Sequence, residues 1–173
     1  WRLPGALPPL PGGASLAAGF EAVSAEHLEY ANESGIHDMA RSGTVAVSLP
    51  LASLYLDEPF LPARRYIEKG VRVAVATDFN PGSAPSYHLP FALTLACLNQ
   101  GMTPQEALNG ATTVAARAID RHETTGSLLP GYRADIAVID TLSLNHWLYH
   151  LVPNACTAVF KDGIVVYKSG STS

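Results

Sequence analysis

The apolar positions of this chain fall into two rhythms: short unbroken runs, and stretches with a period near that of a helix. The clearest run, Val73-Ala74-Val75-Ala76-Thr77, is small or β-branched with no polar alternation. That pattern predicts a strand buried on both faces of a parallel sheet. The run stops at Asp78, and Asn80-Pro81-Gly82 follows as turn chemistry: Asn bonds its own backbone, Pro fixes φ, and Gly permits close backbone approach. A ligand could sit at such a strand end, although Asp also caps turns with no further role. Two similar runs come earlier. Glu21-Ala22-Val23-Ser24-Ala25 ends near Glu26-His27, and Thr44-Val45-Ala46-Val47-Ser48-Leu49 ends at Pro50.

Helical periods lie between these runs. Residues 14–18 predict a short helix, and residues 34–42 predict one with Ile36, Met39 and Ala40 on one face and Gly43 as its stop. A loop follows Pro50, and residues 63–69 form a helix closed by Gly70. Strands alternating with helices every 20 to 30 residues or so mark βα units and a parallel sheet. The α/β candidate is a (β/α)8 TIM barrel, whose catalytic groups sit at the C-terminal ends of its strands, where His27 and Asp78 fall. Three strands cannot close a barrel, and eight need about 250 residues. The chain therefore reads as the later, C-terminal portion of something longer.

Beyond Asp78, residues 88–100 are apolar nearly all round and predict a buried helix ending at Gly101. Thr103-Pro104-Gln105-Glu106 is a helix start, with Thr as N-cap, Pro at the first position and Glu closing a capping box. Gly110 interrupts the pattern and residues 111–119 resume it. From Gly126 the grammar turns strand-like, over residues 133–139 and 155–167, the latter with a turn at Lys161-Asp162-Gly163. Three parts result: a Pro/Gly-rich start at 1–13, later βα units at 14–125, and a β-strand appendage at 126–173.

Composition narrows the function. Of 173 residues, 47% are hydrophobic and 15% charged, against roughly 25% charged in average globular proteins. That implies much hidden surface, or surface meant for a partner. The net charge of -4 is mild and its carriers are dispersed, so nothing suggests nucleic acid. No apolar run approaches the roughly 20 residues of a spanning helix, no leader pattern opens the chain, and a cytoplasmic protein without a membrane partner is expected. Cys97 and Cys156 lie far apart in apolar surroundings, as free thiols do.

Three motifs carry a family likeness. Ser24-Ala25-Glu26-His27-Leu28-Glu29-Tyr30, Thr77-Asp78-Phe79-Asn80-Pro81-Gly82-Ser83 and Gly126-Ser127-Leu128-Leu129-Pro130-Gly131-Tyr132-Arg133-Ala134-Asp135 together resemble the imidazolonepropionase family of the amidohydrolase superfamily. The last motif is common to the superfamily; the first two are more specific. The resemblance implies a metal-dependent hydrolase of histidine degradation that opens the cyclic amide of 4-imidazolone-5-propanoate to N-formimidoyl-L-glutamate. It further implies one divalent metal, zinc or iron, at the barrel mouth, a homodimeric parent enzyme, and a composite β-sandwich formed by the appendage. Asp78 matches the family's metal-binding and catalytic Asp, His27 its catalytic His, and Asn80, Gly82 and Ser83 its substrate-binding residues. Ser83 is commonly Thr in relatives, and both present a hydroxyl.

The departures weigh as much. The family's His-x-His pair occurs nowhere, and Arg2-Leu3-Pro4-Gly5-Ala6-Leu7-Pro8-Pro9 stands where its fifth-strand His is expected. The chain alone is therefore expected to be inactive, which keeps a non-catalytic interaction module in play beside another cyclic amidase or aminohydrolase of the superfamily. His37 and His122 read as surface residues. His88 either lines the pocket or opens a helix. His146 and His150, four apart, share a helix face in the manner of a metal pair. No Glu follows the first of them, which favours a structural reading.

Overall fold

Three parallel strands, β1 (Ser24–Glu26), β2 (Val45–Ser48) and β3 (Val73–Val75), form a sheet in the order β1-β2-β3. In this computed structural model residues 12–151 and 154–170 are described, so most of the Pro/Gly-rich start lies outside them. Ser24 pairs with Val45 and Glu26 with Val47, while Val47 pairs in turn with Ala74. Every residue of β2 and β3 is buried, as their unbroken apolar runs predict. β1, at the sheet's edge, is only partly buried.

The helical periods become α1 (Gly13–Gly19), α2 (Glu33–Ser42), α4 (Ala63–Glu68), α5 (Leu89–Gln100), α6 (Pro104–Ala111) and α7 (Thr113–Ala118). Their ends follow the expected chemistry. Asn32 Oδ1 accepts from Gly35 N at the start of α2, and Gly43 closes it in the left-handed region at φ 79°. Thr103 and Glu106 form the complete capping box of α6. Ahead of the appendage one element differs from expectation: α3 (Pro50–Leu56) occupies the predicted loop. Pro50 ends the strand and also sits in the first turn of a helix, where its fixed φ and missing N–H do no harm. Leu51 and Ala52 of α3 are buried in the core.

That core joins Ile36 and Met39 of α2, Val45 and Ala46 of β2, Leu61, Tyr66 of α4 and Leu93 of α5, all nearly or wholly solvent-free. On the far side of β3, a Cβ at Gly110 would meet Val75 Cγ2 at 3.0 Å and the Val73 carbonyl oxygen at 3.1 Å. Arg72 and Ala76 bond toward β2, so the Val73 carbonyl points outward and α6 covers the free edge of β3.

The remaining strands, β4 (Ile136–Ile139), β5 (Cys156–Lys161) and β6 (Ile164–Lys168), make a separate antiparallel sheet in the order β4-β5-β6. Asp162 and Gly163, at φ 50° and 79°, give its hairpin the doubly left-handed turn that matches strand twist. Arg133 grips Asp162 through two N–H donors, and Asp135 accepts from the Asp162 N–H and from Lys161. The Arg-Ala-Asp motif thus pins this hairpin. Within the same stretch α8 (Leu144–Tyr149) packs back on α5, where Thr94 Oγ1 donates to the Leu148 carbonyl at 2.8 Å.

Gly126, which opens the superfamily motif, stands at φ 86°, and a Cβ there would lie 2.7 Å from Ala116 Cβ and 2.8 Å from the Thr112 carbonyl oxygen. Gly126→Ala is expected to lower stability by about 2 kcal/mol or more, since backbone strain and overpacking add. Urea unfolding would read this as a lower midpoint at an unchanged slope; an unmoved midpoint would refute it.

Candidate active site

His27 directly follows β1, and Asp78 lies three residues beyond the end of β3. Both adopt left-handed backbone, at φ 54° and 53°. His and Asp enter this region more readily than most side chains, but it still costs about 1 kcal/mol or more. The conformation has a geometric effect. Along a continuing strand Glu26 and His27 would face opposite ways; with His27 turned, both line one cavity of about 410 Å³ together with Asp78. A cavity of this size suits a small molecule. Its floor is the sheet row Glu26, Val47, Ala74, and Ala118 and Ile119 close one side. His27 is exposed and Asp78 half-buried.

Neighbouring contacts hold each strained residue. Leu28 is buried, and its carbonyl accepts from Tyr66 Oη at 2.8 Å and from Ala31 N at 3.2 Å. Tyr66 is fully buried, and burial pushes its phenol above the usual range, so it remains a donor throughout the physiological range. Removing that donor strands a buried carbonyl. Tyr66→Phe is therefore expected to cost about 1–3 kcal/mol, read as a lower thermal midpoint; an unchanged midpoint would show that the bond does not anchor the His27 segment.

Asn80 does the same for Asp78. Its Nδ2 donates to the Asp78 carbonyl at 2.7 Å and to Ser83 Oγ at 2.9 Å, while its Oδ1 accepts from Gly82 N at 2.9 Å and Ser83 N at 2.8 Å. Asn80, Gly82 and Ser83 therefore form a closed turn beside the cavity and are not among its lining residues. Glu26 escaped the sequence reading, although its period-two relation to Ser24, also in the lining, was the available signal.

Of the other histidines, His122 departs from expectation, since its Nδ1 is buried without a hydrogen-bond partner among the described residues. His88 caps α5, its Nδ1 accepting from Phe91 N at 3.1 Å, which supports helix opening. His37 is exposed and His122 half-buried. His146 and His150 use Nδ1 in bonds at the ends of α8. Cys97 and Cys156 are free thiols, and burial pushes the Cys97 thiol up. Among the described residues no three His, Cys, Asp or Glu side chains gather in a way that could hold a metal, so Asp78 offers one ligand rather than a complete site. No described helix is long and apolar enough to cross a membrane.

Parallel βα units with a His and an Asp raised at their strand ends define a class, and the family comparison agrees: residues 18–166 match the amidohydrolase family, and the chain belongs to it. Among individual proteins it is similar to imidazolonepropionases. It is 45% identical over 159 residues to that of Treponema denticola, covering 91% of this chain and 38% of the relative, and 45% identical over 159 residues to that of Geobacillus kaustophilus, covering 92% and 38%. The chain thus spans 38% of the length of these curated relatives. In fold it resembles a zinc-bound adenosine deaminase from Xanthomonas campestris, with a TM-score of 0.78 and 23% identity over 85% of this chain and 38% of that one. E. coli guanine deaminase follows at a TM-score of 0.72 and 20% identity, covering 85% and 39%. At these identities the likeness concerns fold alone.

Proposed function

We propose that this chain is the later part of an imidazolonepropionase, which hydrolyses the cyclic amide of 4-imidazolone-5-propanoate to N-formimidoyl-L-glutamate in the cytoplasm. The observation that carries the reading is the meeting of His27 and Asp78 in one cavity, and the similarity to imidazolonepropionases supports it. In this reading residues 14–125 are later βα units of a (β/α)8 barrel and 126–173 belong to a composite β-sandwich. A further strand then takes the β3 edge that α6 covers here. The whole protein is a homodimer and takes one divalent metal, zinc or iron, which when bound brings the pKa of water toward about 7. Since the described residues do not form a complete metal site, its other ligands lie outside them.

The residues present have definable tasks. Water adds to the ring carbonyl, forming a C–O bond while its proton passes to the Asp78 carboxylate. His27 donates a hydrogen bond to the carbonyl oxygen as negative charge gathers there, worth on the order of 3 kcal/mol for one such donor. As the C–N bond breaks, Asp78 returns the proton to the departing ring nitrogen, so one carboxyl group serves first as base and then as acid. In this reading Asn80, Gly82 and Ser83 meet the substrate's polar edge, although they stand beside the cavity and not in its lining. Because their own bonds already close the turn, substrate competes with those bonds, and Asn80 also keeps the Asp78 backbone in position.

The test follows loss of imidazolone absorbance by the whole protein, beside dihydroorotate and cytosine as controls. Turnover of imidazolonepropionate alone is expected. Turnover of a control without it would assign the chain to another cyclic amidase or aminohydrolase.

A further inference from the structure

We infer that His146 and His150 form a second site, on the surface, for a divalent transition-metal ion. His146 lies within α8 and His150 is its C-cap, already in extended backbone at φ -93° and ψ 128°, so the two do not share a helix face as the spacing suggests; both are exposed, while Leu148 between them is buried in the core. Their ring centroids are 4.6 Å apart, within the span of one ion bonded to both rings at about 2.0–2.1 Å. Neither residue lines the cavity that contains Asp78.

What singles out this pair is the state of its nitrogens. His150 Nδ1 lies 2.8 Å from the His146 carbonyl oxygen. A carbonyl can only accept, so Nδ1 carries the hydrogen and Nε2 of the neutral ring keeps its lone pair. The second ring follows by a similar argument. Thr141 Oγ1 donates its single hydrogen to the Ser143 carbonyl at 3.0 Å and faces His146 Nδ1 at 3.1 Å. With that hydrogen committed, the Thr141 oxygen accepts from His146 Nδ1–H, and again Nε2 is left bare. A ring whose Nδ1–H is tied to oxygen and whose Nε2 is bare is oriented as metal-ligating histidines are, the outer bond fixing tautomer and direction. The bonds that support the structural reading of this pair thereby prepare both rings as ligands.

Imidazoles select copper, nickel and zinc over magnesium and calcium, and among N-ligand sites copper binds most tightly. No third acidic, thiol or imidazole ligand joins the pair among the described residues, so water completes the coordination and the ion exchanges readily.

Equilibrium dialysis of the whole protein, already loaded with its resident metal, tests the site with Cu²⁺ and Ni²⁺. The expected result is one additional Cu²⁺ per chain, bound more tightly than Ni²⁺. His146→Ala and His150→Ala should each weaken it by about tenfold or more, and Thr141→Val, which keeps both rings but removes the outer bond, by about tenfold. Equal Cu²⁺ binding by wild type and both His variants would overturn the proposal. Should an alanine variant misfold, Thr141→Val still decides: unchanged affinity there refutes the oriented-ring argument.

Discussion

Asp78→Asn, made in the whole protein, is expected to abolish turnover of 4-imidazolone-5-propanoate and to weaken binding of the resident metal. The substitution is nearly isosteric, and Asn enters the left-handed region as readily as Asp, so the φ of 53° at this position is kept. The main-chain carbonyl that Asn80 grips is also unchanged. Only the charge and proton capacity of the side chain are lost. An amide neither takes the proton of the attacking water nor returns one to the ring nitrogen, so both halves of the reaction fail together. With metal stripped from both proteins, so that lost metal affinity does not enter, the urea midpoint should match wild type, which separates a chemical defect from a folding one. Normal kcat with stoichiometric metal in this variant would remove Asp78 from the mechanism.

His27→Ala is expected to behave differently, leaving the metal in place while lowering kcat by about a hundredfold or more. His27 is exposed and touches the cavity from the β1 side, opposite the turn that presents Asp78. Its hydrogen bond strengthens only as the carbonyl oxygen gains charge, so the loss falls on kcat and kcat/KM alike with little change in KM. A rise in KM at constant kcat would make His27 a substrate-binding residue instead. Alanine tolerates φ 54° less readily than histidine, so a modest drop in stability accompanies the kinetic effect, and unfolding should be measured beside it.

Much of this arrangement was legible in the sequence because it is local. The unbroken Val73–Val75 run, the Gly43 and Gly101 helix ends and the Thr103–Glu106 capping box each depend on residues within a few positions of one another. The bond from Tyr66 to the Leu28 carbonyl spans 38 positions, and no periodicity announces it. Helix α3 was missed because Pro50 was read as a stop and not also as a start. In the sequence the first strand runs over residues 21–25 and Glu26 falls just past its end, whereas register places Glu26 within β1, on the cavity floor beside Val47. The substrate-binding roles of Asn80, Gly82 and Ser83 came from family likeness. The pattern of the residues themselves foretold turn chemistry, and their hydrogen bonds are those of a turn.

The left-handed backbone at His27 and Asp78 sets stability and activity against each other at two single positions. Glycine enters that region freely, so in the metal-free chain His27→Gly and Asp78→Gly would each relieve strain of about 1 kcal/mol or more while deleting the groups assigned to chemistry. Selecting the metal-free chain for heat resistance alone would therefore favour loss of both groups of the proposed site. A screen that scores turnover and thermal survival together would hold both residues fixed and draw its improvements from elsewhere in the chain.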